Sequence, residues 1–90
     1  MKKPGARLQD YGDGGFSMET PYVEKFVEEF KESIPAQDRM WDRDSKRWLV
    51  DSDWYVEVLH LMSHYFEPII VCDEVGTPRY RVSSNGIQDA

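Results

Sequence analysis

The chain has a single cysteine, Cys72, which excludes an internal disulfide framework and any multi-cysteine zinc site. Small secreted domains usually depend on such staples, so a reducing cytoplasm is the expected location. Long apolar runs are also missing: none approaches the ~20 residues needed to cross a bilayer. The basic Met1-Lys2-Lys3 is followed by Pro4-Gly5 and polar residues, where a secretion signal would have its apolar core. Positive charge is short, with 11 Lys and Arg against 17 Asp and Glu, a net charge of −6. That balance opposes non-specific capture of DNA or RNA, which relies on cationic side chains displacing counterions. It suits solubility, and it suits a basic protein partner. There is no internal repeat and no low-complexity tract.

What is present is an aromatic load of 13% within 90 residues, from three Trp, five Tyr and four Phe. Ninety residues make one small domain. Such a domain buries only about 60–65% of its unfolded surface. Each buried ring removes roughly 150–250 Å² from water, so the aromatics can build a core where aliphatic residues are few.

Residues 1–6 are expected to form a loose terminus. Ala6 to Tyr11 and Phe16 to Thr20 read as two strands around Gly12-Asp13-Gly14-Gly15, whose glycines supply the positive φ of tight turns. Thr20-Pro21 reads as a helix start, a hydroxyl cap followed by proline. From Tyr22 to Ser33 the spacing is helical, with Tyr22, Val23, Phe26, Val27 and Phe30 on one face. Glu24, Lys25, Glu28, Lys31 and Glu32 occupy the other. Pro35 ends this helix by pushing Ile34 out of helical geometry. Arg39 to Asp42 and Lys46 to Val50 read as a hairpin around Arg43-Asp44-Ser45.

Asp51 or Ser52 is placed to cap a second helix, Asp53 to Phe66. Its apolar arc is wide: Trp54, Tyr55, Val58, Leu59, Leu61, Met62, Tyr65 and Phe66. Ile69 to Cys72 reads as a buried strand and Arg79 to Val82 as an edge strand, with Ser83 to Ala90 a loose tail. The fold class is α+β in the order ββαββαβ, with a further strand possible at the end. Both helices are expected on one face of a mainly antiparallel sheet.

The distinctive stretch is the Trp-bearing hairpin. Trp41 and Trp48 flank a turn that makes them cross-strand neighbours on one face. Arg39, Arg43, Lys46 and Arg47 lie beside them, a locally cationic segment on an acidic chain. Rings beside basic groups are what single-stranded nucleic acid uses, with bases stacked on the rings and phosphates followed by Lys and Arg. The competing use of both indoles is as core, since large aromatics are usually well buried.

A Phe-rich helix, Ile34-Pro35, Arg39-x-Trp41-Asp42, Lys46-x-Trp48-x-Val50 and an amphipathic helix together resemble a HARP-type module over about residues 16–71. That family of small α+β domains accompanies SWI/SNF-type annealing helicases and occurs in free-standing phage and bacterial proteins. The resemblance implies a domain that engages DNA forks without hydrolysing anything, with Arg39, Trp41, Lys46 and Trp48 as contacts. Here Ala36-Gln37-Asp38 and the net charge are more acidic than that pattern.

Other constellations carry less chemistry. Glu57, His60 and His64 share the polar face of the second helix at metal-chelating spacing, but no third or fourth ligand is evident. Asp42-x-Asp44 and Asp51-x-Asp53 sit where turns and helix starts call for Asp. Gly12-Asp13-Gly14-Gly15 lacks the Lys-Ser/Thr and the helix of a phosphate loop. No nucleophile, base and orienting group can be assembled, so no catalysis, cofactor, metal or small-molecule substrate is expected. The expectation is a binding module that contacts nucleic acid or a nucleic-acid-processing protein through Arg39, Trp41, Arg43, Lys46, Arg47 and Trp48. Such a module would suit an accessory protein of a phage or mobile element; the alternative is a small acidic phage-type inhibitor of a host nucleic-acid-handling protein. Its acid face, Glu24, Glu28, Glu29 and Glu32, would enter the basic groove of a polymerase, nuclease or CRISPR effector.

Overall fold

A computed structural model describes residues 2–90. The chain is an α+β domain of two helices on a seven-stranded mixed sheet. Strands β1 (Ala6–Asp10) and β2 (Phe16–Glu19) form the first hairpin. Helix α1 (Glu24–Ser33) leads to β3 (Arg39–Asp42) and β4 (Arg47–Val50). Helix α2 (Tyr55–Tyr65) leads to β5 (Ile69–Cys72), β6 (Pro78–Ser83) and β7 (Gly86–Asp89). The spatial order is β3-β4-β2-β1-β5-β6-β7. The central strands β1 and β5 run parallel, and every other neighbouring pair is antiparallel.

Alternation along the strands decides which face is covered. Ala6, Leu8, Phe16, Met18, Val50, Ile69 and Val71 are buried and join Phe26, Phe30, Val58, Met62 and Phe66 from the helix side in one core. The intervening residues Arg7, Gln9, Glu19, Arg47 and Leu49 belong to the uncovered face. Rings carry much of the core: Phe26 stacks on Phe30 at 6.1 Å and meets Phe66 edge-on at 5.0 Å. Tyr65 ties the helices together by donating its hydroxyl to Glu29 Oε2 at 2.6 Å, and that bond raises the tyrosine pKa.

Several sequence expectations shift. Helix α1 starts at Glu24 with Val23 as an extended cap, so Thr20-Pro21 does not cap it. It ends as expected, with Ile34 at φ −110°, ψ 122° before Pro35. Asp51 does cap, but it caps a 3-10 turn at Ser52–Trp54, where its Oδ1 accepts the Asp53 N–H at 2.9 Å. Strand β4 starts at Arg47 because Lys46 takes the left-handed conformation at φ 57° inside the turn. Gly15 is obligatory: at φ 92° an added Cβ would stand 2.5 Å from the Val50 carbonyl oxygen.

The largest correction is at the C-terminus. Residues 83–90 hold β7, and β6 is therefore interior to the sheet, not its edge. Every residue of β7 is exposed, so the strand has no buried alternation to betray it. The order is accordingly ββαββαβββ. At the other end, Met1 lies outside the described residues. Lys2 to Gly5 form no helix or strand, although the Pro4 carbonyl accepts the Glu67 N–H at 2.9 Å. Ala6, read both as the end of the loose terminus and as the start of the first strand, is the first residue of β1. Among the described residues no helix is long and apolar enough to cross a membrane.

Candidate functional site

The β3–β4 hairpin forms one border of the sheet, and among the described residues no strand pairs with the outer side of β3. Register pairs Trp41 with Trp48, and their rings meet at 5.4 Å and 60°. The pair is unequal. Trp48 leans edge-on against buried Phe30 at 5.0 Å and is half-buried. Trp41 is 48% exposed and faces outward from this anchored neighbour. One indole thus serves the core while holding the other at the border.

Two cations attend Trp48. Arg39 Cζ lies 5.8 Å and Lys31 Nζ 5.9 Å from the ring centroid, within cation–π range. Arg39 is fixed there because its Nε donates to the Ile34 carbonyl, left open at the end of α1, at 3.0 Å. Lys31 arrives from the last turn of α1. The sequence places Lys31 on the polar face of α1, and it stays exposed while its Nζ reaches over Trp48.

The remaining basic residues go elsewhere. Arg47 faces the opposite side of the sheet, bonded through Nε to Glu19 Oε2 at 3.2 Å and through Nη1 to Gln9 Oε1 at 3.0 Å. Arg43 and Lys46 project from the turn and are exposed. Asp42 organises that turn by accepting from Ser45 Oγ at 2.6 Å and the Asp44 N–H at 3.2 Å, which lowers its carboxyl pKa, the Ser45 bond contributing most. The expected cationic face is therefore split. Arg39 and Lys31 stand over Trp48, Arg43 and Lys46 sit at the tip, and Arg47 is on the far face beside a carboxylate.

Beside Trp41, the border exposes Met40, which is 59% accessible and points to the opposite face. The third tryptophan, Trp54, takes no part: it is half-buried and donates to Asp38 Oδ2 at 3.0 Å. Of the acid face, Glu24, Glu28 and Glu32 are exposed on α1, whereas Glu29 is engaged by Tyr65. His60 and His64 lie edge-to-face at 4.8 Å. Among the described residues no group of three or more His, Cys, Asp or Glu is arranged to hold a metal ion. Buried Cys72 accepts from Arg7 Nη2 at 3.4 Å.

Neither a family model, a curated protein nor a solved structure matches this chain. What the site can do rests on its own geometry.

Proposed function

We propose that this protein is a non-enzymatic binding module of HARP-like type. It engages single-stranded nucleic acid, or the machinery that processes it, along the β3–β4 border. The observation that carries the reading is the half-exposed Trp41, whose ring meets core-anchored Trp48, the indole over which Arg39 and Lys31 stand. A rigid ring offers a base its face, and the two cations stand where a phosphate backbone would pass. Arg43 and Lys46 at the tip extend that track, whereas Arg47, neutralised on the far side, does not.

Titration with single-stranded and forked DNA, followed by tryptophan fluorescence at low salt, tests the reading. The expected result is saturable quenching that Trp41→Ala weakens by about 1–3 kcal/mol, the worth of one stacked base. Lys31→Ala should lower the salt dependence by roughly 0.7 in slope, one phosphate contact. Absence of quenching in the wild-type protein at low salt ends the proposal.

A second reading keeps the site on protein. Glu24, Glu28 and Glu32 are exposed together on α1 of a chain with net charge −6. They would suit an inhibitor that enters the basic groove of a nucleic-acid-handling enzyme. Recovery of one stoichiometric, salt-sensitive protein partner that Glu28→Lys abolishes favours this reading, and unchanged recovery with that variant removes it.

A further inference from the structure

A second concavity lies well away from the tryptophan border, at the carboxyl ends of the parallel pair β1 and β5. It is an open cleft of about 350 Å³ between the start of α2 and strand β6. Ends of parallel strands beside a crossing helix are a recurrent location for ligand sites, because the chain diverges there and leaves a gap. Three tyrosines line it, Tyr11, Tyr55 and Tyr80, together with Asp10, Asp73 and Glu74.

These groups are held by the fold. Tyr55 is the first residue of α2 and packs edge-on against Phe16 at 5.5 Å. Burial raises its pKa, with smaller contributions from Asp10 and Tyr80. Tyr80 stands opposite Val71 in register and is 50% exposed. Tyr11 shares a hydrogen bond with buried Ser17 at 3.2 Å. Asp10 accepts the Gly12 N–H through Oδ1 at 2.8 Å, and its Oδ2 has no donor among the described residues. Asp73 is fully committed: Oδ1 accepts from Val75 and Thr77, and Oδ2 from Arg79 Nε at 3.0 Å. Arg79, among the described residues the only cation lining the cleft, is therefore balanced by Asp73, leaving Asp10 and Glu74 as net negative charge.

Phenol rings present negative faces, and carboxylates beside them add to the attraction for a cation. The positive end of α2 opposes this, but Asp51 and Asp53 sit in the turn that precedes it and offset the helix charge. We propose that this cleft receives a lysine or arginine side chain of a basic polypeptide partner. The cleft is open to solvent, as an incoming side chain on a larger surface requires. The proposal is independent of the nucleic-acid reading, since no residue of the tryptophan border lines the cleft.

The test is an amide-resolved NMR titration of the full chain with N-acetyl-lysine methylamide, its arginine counterpart, the neutral norleucine analogue and free spermidine, followed by a short Lys/Arg peptide. Expected are saturable shifts at Asp10, Tyr55 and Tyr80 with the lysine or arginine compounds and the peptide, and none with norleucine. Tyr80→Ala and Asp10→Asn should each weaken binding by roughly 3–10-fold, while Trp41→Ala leaves it unchanged. Asp10→Asn keeps an acceptor for Gly12, so its loss of binding would not reflect misfolding. Equal shifts with norleucine, binding of spermidine without the peptide, or indifference to both cleft variants overturns the proposal.

Discussion

The two hairpins that border the sheet differ in what holds them. The β3–β4 hairpin is fastened from above: Trp48 against Phe30, and Arg39 to the Ile34 carbonyl. In the β6–β7 hairpin only Val82 among the apolar residues packs on the core, while Ile87 is 70% exposed. Its attachment is largely main-chain pairing. The lesson is that an exposed aromatic on an anchored strand is held in one geometry and can serve as a contact. An exposed apolar residue on an unanchored strand is not held in the same way.

The comparison can be broken most severely at Phe30. Phe30→Ala removes a fully buried ring that supports both Phe26 and Trp48, and should cost about 3–5 kcal/mol in a urea titration. Trp48→Ala removes a half-buried ring and should cost less, about 2 kcal/mol. Its sharper signature is hydrogen exchange, with β3 amides losing protection while those of β5 keep theirs. Were β3 protection unchanged, the indole would not be the fastener.

Acid sharpens the comparison, because a carboxylate sits at a turn of each border. Asp42 in the β3–β4 turn and Glu67, which accepts from Ser84 in the β6–β7 turn, both have lowered pKa values from those hydroxyl bonds. Asp73, before β6, is lowered chiefly by the Thr77 N–H. A folded-state pKa below the unfolded one contributes stability that is present above the ordinary carboxylate range. That stability is lost as pH falls through the depressed values, so the turns should loosen below about pH 4. Carboxyl NMR titration checks this, and midpoints at ordinary values would remove the contribution. The smallest effect belongs to β7: Ile87→Ala should change stability by less than about 0.5 kcal/mol. A larger loss would mean that the outer hairpin is packed more firmly than its exposure indicates.

Much of the candidate site was legible because it depends on local periodicity. Alternation across a short turn puts Trp41 and Trp48 on the same face, and the structure pairs them in register. The same alternation sends Arg47 to the opposite face, so proximity in sequence overstated the cationic surface. Lys31 reaches Trp48 only through the path of α1 over β4. The cleft residues are drawn from β1, the start of α2, β5 and β6, and no local spacing links Asp10, Tyr55 and Tyr80.

By itself the sequence determined an α+β chain, two helices with defined apolar faces, the end of α1 before Pro35, and the paired indoles. Each follows from side-chain spacing or a local backbone restriction. Tertiary structure alone decided the parallel pairing of β1 with β5, the addition of β7, and which indole is anchored and which is free. The β1–β5 pairing joins segments about sixty residues apart and the anchoring of Trp48 joins separate elements, while β7 pairs locally with β6 but carries no burial signal. A strand whose side chains are all exposed, as in β7, leaves no pattern of burial in the sequence from which its pairing can be read.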